Sequence, residues 1–245
     1  MAILYETEPV RLGCMDFRLE GPFDCRNAGG AASGLRKEIE GSFLGHPERT
    51  ALEITVHRDC GGIKAAAAIL DGVDLGLSPE SSMFFDETFV KYFRGHGFEG
   101  ASADQQKMEK MEEFNRDLQE RCAKEILGQI GRGDVKVSVQ LVSVPKGLHA
   151  DTVIVVMGKL PNNSGEIAKL SGLGEGHAYA IMATTVNGAS TSLELAITVM
   201  GKSDIVFVPS SAFELKKVDE LCKKPYMEGI TPKIIPGYHV KKRMT

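Results

Sequence analysis

Short apolar runs alternate along this chain with stretches of helical periodicity, and that alternation restricts the fold more than any other feature. "PVRLGCMDF" (Pro9–Phe17) reads as a short buried strand that breaks at a polar site. "CRNAGGAASG" (Cys25–Gly34) is a glycine-rich turn entering a helix over "LRKEIEGSFL". "ALEITVH" is a second strand, and "CGGIKAAAAILDG" a turn followed by an alanine-rich helix that ends at Gly72. From Asp104 to Gly128 the residues Met108, Met111, Phe114, Leu118, Cys122 and Ile126 recur at three- and four-residue steps. That is the stripe of an amphipathic helix packed on a core. "DVKVSVQLVSV" (Asp134–Val144) alternates as a strand does. Strands interleaved with helices predict an α/β fold, a largely parallel β-sheet flanked by helices.

Past about Pro145 the pattern restarts. "DTVIVVMG" reads as a strand, "SGEIAKLSGLG" as a short helix and "AYAIMATTVNGAS" as a strand into a glycine turn. "TSLELAITVMG" follows as a helix, "DIVFVPSS" as a strand and "AFELKKVDELCKK" as a final helix.

Composition narrows the function classes. A net charge of −4 offers no basic surface for nucleic acid, and the short basic tail "KKRMT" reads as a solvated terminus. No apolar run reaches the roughly 18 residues of a membrane span. "MAILYETEPVRLG" carries acidic residues and no basic leading region, so no signal peptide is expected. Five cysteines, an odd number, do not read as a disulfide framework. A reducing, cytoplasmic setting is expected, where paired Cys and His point to metal binding or catalysis.

Cys14 stands at the end of the first strand, and "CMDFR" places Cys14, Asp16 and Arg18 at alternate positions. In an extended chain these share a face. "TVHRDCGG" places His57 and Cys60 at the end of the second strand, before a glycine turn and a helix. Taken singly, a cysteine or histidine after a strand is ordinarily a core or hydrogen-bonded residue. Together they form a set: two thiolates and an imidazole suit zinc, and three protein ligands with an open fourth position mark a catalytic site. The helix beginning at Cys60 favours thiolate there, and the ends of parallel strands are where α/β sheets place their sites.

Cys-x-Asp-x-Arg, then "RNAGG" at Arg26–Gly30, then His-x-x-Cys-Gly, in that order, resembles the β-class carbonic anhydrases, most closely the compact microbial type. The resemblance covers roughly Val10 to Val144. It implies a carbonic-anhydrase-like sheet, with Cys14, His57 and Cys60 as zinc ligands. Asp16 would accept a hydrogen bond from the zinc-bound water or hydroxide, and Arg18 would hold Asp16 in place. In some members the aspartate swings onto zinc when that pair breaks. Met15 and Phe17 depart from the small polar residues frequent in the family.

Such a site implies reversible hydration of CO2 to bicarbonate. The metal brings the pKa of bound water from about 15.7 to about 7, less strongly with two thiolates than with imidazoles. A salt-bridged aspartate that can only accept a hydrogen bond then orients the nucleophile. Phe17, Phe23 or Met83–Phe85 are candidates to line an apolar CO2 pocket, and His46, His96 and Asp59 candidates for proton relay. Gly29 and Gly30 read as allowing close backbone approach to the site rather than as a phosphate loop. Cys122 reads as core, and Cys25 adjoins the glycine turn.

The second half follows a similar order of elements: "TVIVVMGKLPN" stands where "VRLGCMDFR" stood, and "TTVNGAS" echoes "CRNAGGAAS". At the metal positions it shows Gly158, Pro209 and Ala212. Residues 1–148 are therefore expected to form the zinc-binding catalytic unit. Residues 149–245 are expected to be a degenerate second repeat that packs on it as a pseudo-dimer partner, with homo-oligomerisation the other possibility. Family members form dimers with the cleft at the interface. An unrelated extension covering the sheet edge remains the alternative. Two other functions stay open: hydrolysis of carbonyl sulfide or carbon disulfide on the same ligands, and a non-catalytic zinc-binding role, for which Asp16 and Arg18 would be superfluous.

Overall fold

The computed structural model describes residues 8–19, 23–146, 148, 150–158 and 178–237. Eight strands form one sheet: β1 (Val10–Cys14), β2 (Cys25–Asn27), β3 (Ala51–His57), β4 (Lys136–Val142), β5 (Thr152–Met157), β6 (Ala178–Ala183), β7 (Asp204–Pro209) and β8 (Lys233–Ile234). Their spatial order is β4-β3-β1-β2-β6-β5-β7-β8. Every neighbouring pair is parallel except β2 and β6, which meet antiparallel at Arg26 and Met182. From that central seam outward, each half runs through its strands in the same chain order: second, first, third, fourth.

The helices follow from the sequence pattern. Between β2 and β3 lies α1 (Arg36–Phe43), and α2 (Gly61–Leu70) follows β3. Asp104 caps α5 (Gln105–Gln129), its carboxylate accepting the Gln106 and Lys107 amides. The predicted stripe of α5 turns Met108, Met111, Leu118, Cys122 and Ile126 into the core. Its partner is a segment the sequence left unassigned. Ser78 caps α3 (Pro79–Phe85), which runs through a wide π-turn at Asp86–Val90 into a last turn, α4 (Lys91–Phe93). There Phe85, Phe89 and Phe93 are fully buried at four-residue spacing, and Phe93 packs against Phe114 of α5 at 5.8 Å.

Two sequence expectations are corrected. Cys25–Asn27 is a strand rather than part of a turn, because its backbone pairs with β1 on one side and β6 on the other. "TTVNGAS" is not a glycine turn: Thr185 caps α6 (Val186–Glu194), its hydroxyl accepting the Gly188 amide inside the first turn. The chain also adds a short edge strand, β8, beyond α7 (Ala212–Cys222). The helix expected over "SGEIAKLSGLG" lies outside the described residues. Among the described residues, no helix is long and apolar enough to cross a membrane.

The two halves clasp one another by reciprocal caps. Just past β2, the Ala28 amide donates to Ser192 Oγ on α6 at 2.9 Å. Just past β6, the Thr184 amide donates to Glu38 Oε1 on α1 at 3.1 Å. A third tie is the buried Glu194 carboxylate of α6, which accepts Ser78 N, Ser78 Oγ and Ser81 Oγ at 2.5–2.7 Å.

Candidate metal centre

Cys14 is the last residue of β1, His57 the last of β3, and Cys60 heads α2. Because β1 and β3 are parallel neighbours, both strands deliver these side chains to the same end of the sheet. The ligand atoms of all three residues, each nearly fully buried, lie within 4.8 Å of one another. Among the described residues this is the one such group of His, Cys, Asp or Glu side chains.

The geometry suits a tetrahedral cation. Two thiolates at about 2.3 Å from one zinc, subtending a tetrahedral angle, stand about 3.8 Å apart; Cys14 Sγ and Cys60 Sγ are 3.7 Å apart. His57 turns Nδ1 to the Arg58 carbonyl at 2.8 Å, which fixes the proton there. Its Nε2 is buried with no hydrogen-bond partner. An orphaned imidazole nitrogen beside two paired sulfurs is the donor set a soft divalent ion requires.

The same crowding sets the charges of these groups. The Cys60 thiol hydrogen-bonded to Cys14, followed by the nearby His57, holds Cys14 well below the usual thiol range against the effect of burial. That hydrogen bond, with burial behind it, pushes Cys60 well above the usual range, while the Gly62 and Ile63 amides at the helix start act in the opposite sense. Burial alone would lower the His57 pKa; the Cys14 and Asp16 charges outweigh it and push it up to about 9.

Asp16 and Arg18 do not share an extended face, as alternate positions suggested. β1 ends at Cys14, and the chain turns over 15–18. The turn itself makes the pair: Asp16 Oδ1 accepts the Arg18 backbone amide at 3.0 Å and Nε at 2.9 Å, while Oδ2 accepts Nη2 at 2.7 Å. Burial pushes the Asp16 pKa upward, but the Arg18 bonds and His57 together hold it below the usual carboxylate range. Asp16 Oδ2 lies 3.9 Å from His57 Nε2. The carboxylate is thus next to the ligand set but tethered away from it.

Several further residues build this arrangement. Arg26, fully buried, donates to the carbonyls of Cys14 at 2.8 Å, Asp16 at 2.6 Å and Leu19 at 2.9 Å, and so shapes the turn that carries Asp16. Desolvation pushes its pKa down to about 10. Glu112 of α5 reaches under α2 and accepts the amides of Asp59 at 2.6 Å and Cys60 at 3.3 Å. In the sequence Glu112 is one acidic residue of "KMEEF" among many on this helix, and only its burial in the structure singles it out. Gly29 and Gly30 take left-handed φ of 73° and 64°. A Cβ at Gly62 would stand 2.7 Å from the Gly29 nitrogen, so glycine is what lets α2 close on this turn.

A cavity of about 10 Å³, near the minimum for one water, opens beside the ligands. Cys14, Met15, Asp16, Ala28, Gly61 and Gly62 line it from the first half, Tyr179 and Met200 from the second. Phe17 touches this wall by an edge contact to Tyr179 at 5.2 Å. Phe23 lies instead on a separate cavity of about 370 Å³ beside Arg11, Glu53 and Gln140. Met83 is exposed, and Phe85 is core. His46 pairs with Glu48 and His96 packs on Phe114, and neither lines the small cavity. Asp59 does join the site, through Arg18. In the second half, Met157 closes β5 opposite Ala183 as Cys14 closes β1 opposite Asn27, one residue before the expected Gly158.

Comparison with protein-family models, curated proteins and solved structures finds no match.

Proposed function

We propose that this chain catalyses the reversible hydration of CO2 to bicarbonate on a single zinc ion held by Cys14, His57 and Cys60. The observation that carries the reading is the juxtaposition of that ligand set with an ionised, acceptor-only carboxylate tethered beside it. A purely structural site has no use for such a group. Zinc, when bound, supplies Lewis acidity that makes a water ligand acidic near neutral pH. Asp16, kept ionised by Arg18, takes a hydrogen bond from the O–H of the solvent nucleophile and so turns its lone pair toward the carbon of CO2. Water and CO2 yield bicarbonate and one proton, which passes to solvent. The small cavity beside the site is walled largely by apolar groups, Met15, Ala28, Tyr179 and Met200 among them, in keeping with an apolar substrate, although its volume admits no more than about one water.

We read residues 149–245 as a degenerate second repeat. The supporting observations are the matching strand order about the β2–β6 seam, the reciprocal caps Ala28–Ser192 and Thr184–Glu38, and the two cavity residues contributed by the second half. On this reading the second half is a permanent internal partner, and a reducing cytoplasmic setting keeps the thiols as ligands.

The test is stopped-flow CO2 hydration by the zinc-loaded full chain beside Asp16→Asn and Cys60→Ser, with carbonyl sulfide and carbon disulfide assayed in parallel. Hydration by wild type and its loss in both variants is expected. Stoichiometric zinc with no hydration between about pH 7 and 9 would overturn the reading.

A further inference from the structure

Asp59 sits between His57 and Cys60 with φ of 60°, the sole non-glycine residue in the left-handed region among those described. Such a conformation costs of order 1 kcal/mol and persists where its surroundings impose it. Here they do so from three sides. Glu112 Oε1 accepts its amide at 2.6 Å. Arg18 Nη1 donates to Asp59 Oδ2 at 2.8 Å, and Arg18 Nη2 to the Asp59 carbonyl at 3.1 Å. Lys64, one turn into α2, pairs with Asp59 Oδ1.

The Arg18 guanidinium therefore makes two bonds to Asp16 and two to Asp59. Asp59 belongs to the ligand loop itself, so its grip ties Arg18 to the His57–Cys60 segment rather than to solvent. With Asp16 Oδ2 only 3.9 Å from His57 Nε2, a loosened carboxylate could move onto a cation held there, because oxygen ligands approach zinc at about 2.0–2.2 Å.

We infer that Asp59 is a positioning residue: by anchoring Arg18 from the far side, it holds the Asp16 carboxylate off the metal and keeps the fourth coordination position open. This inference rests on the zinc reading above but not on CO2 as substrate. The left-handed turn at Asp59 is what presents its carboxylate and carbonyl to Arg18 together.

Cobalt-substituted full-length protein, titrated with azide and followed by visible absorption, tests it. Wild type is expected to bind one cobalt and to change spectrum with azide. Asp59→Asn tolerates the left-handed backbone but carries no charge; it is expected to retain cobalt and to weaken azide about tenfold as Asp16 occupies the open position. The double variant Asp59→Asn/Asp16→Ala is expected to regain wild-type azide affinity, which a merely damaged site would not. Unchanged azide affinity in Asp59→Asn, or no recovery in the double variant, would overturn the role of Asp59 while leaving the metal site standing. Absence of cobalt from wild type would overturn both, and cobalt and azide binding without CO2 hydration would overturn the proposed reaction alone.

Discussion

Cys14 Sγ and Cys60 Sγ stand 3.7 Å apart although 46 residues separate them in the chain. No disulfide joins them, and their spacing is that of two ligands on one tetrahedral ion. Purified protein is expected to carry one zinc per chain by elemental analysis. Cys14→Ser or Cys60→Ser should weaken zinc by more than about a hundredfold in chelator competition, exceeding the effect usual for an outer-shell change. Full zinc retention in either variant would remove that residue from the ligand set.

Metal uptake should release protons. Cys14 is held well below the usual thiol range, while Cys60 is held well above it and His57, at about 9, carries its proton at neutral pH. Zinc needs both in their deprotonated ligand forms, so about two protons should leave per ion bound near pH 7. Because those protons compete with the metal, affinity should fall as pH falls. Calorimetric titration in buffers of different ionisation enthalpy measures the number, and zero release would contradict the assigned charges.

Glu112 spans from α5 to the ligand loop and satisfies two amides at once. Glu112→Ala should cost about 2–4 kcal/mol in denaturant unfolding, since two largely enclosed N–H groups lose their acceptor. It should also weaken zinc about tenfold to a hundredfold. Glu112→Gln keeps one acceptor oxygen and should lose less of both. Equal effects from the two variants would show that packing, not the hydrogen bonds, is what matters.

Met200 lines the small cavity from the second half. Met200→Ala should enlarge it and raise turnover of carbon disulfide or carbonyl sulfide relative to CO2 by about tenfold. An unchanged ratio would mean that this wall does not select the substrate.

Truncation after Leu148 uncovers the β2 edge and strips the acceptors from Ala28, Ser78 and Ser81. The shortened chain should aggregate or self-associate in light scattering. If it is instead monomeric, folded and fully active, the second half is neither partner nor wall.

The sequence alone singled out Cys14, His57 and Cys60, which the fold brings into one cluster able to hold a metal, and the broad fold, for identifiable reasons. Cys14 and His57 close runs whose apolar character reads as strand without tertiary information, and the Asp104–Gly128 stripe has only one helical reading. β2 was illegible because three residues have no period; only pairing with β1 and β6 makes Cys25–Asn27 a strand. The α3–α4 segment was left unassigned although Phe85, Phe89 and Phe93 stand at four-residue spacing, because a short run of three residues is a weak signal until their burial against α5 shows it as a core face.

What the tertiary structure decided is the electrostatics of the site. Asp16 and Arg18 were legible as a pair, but the turn that joins them depends on Arg26 of β2 gathering the carbonyls of Cys14, Asp16 and Leu19 at and beyond the end of β1. The second anchor of Arg18 at Asp59, the clamp of Glu112 and the wall of Tyr179 and Met200 come from distant stretches of chain. Hydrogen bonds and cavity walls depend on distances of a few ångströms, and local sequence fixes such distances only within one element. Between elements they are set by how the core packs.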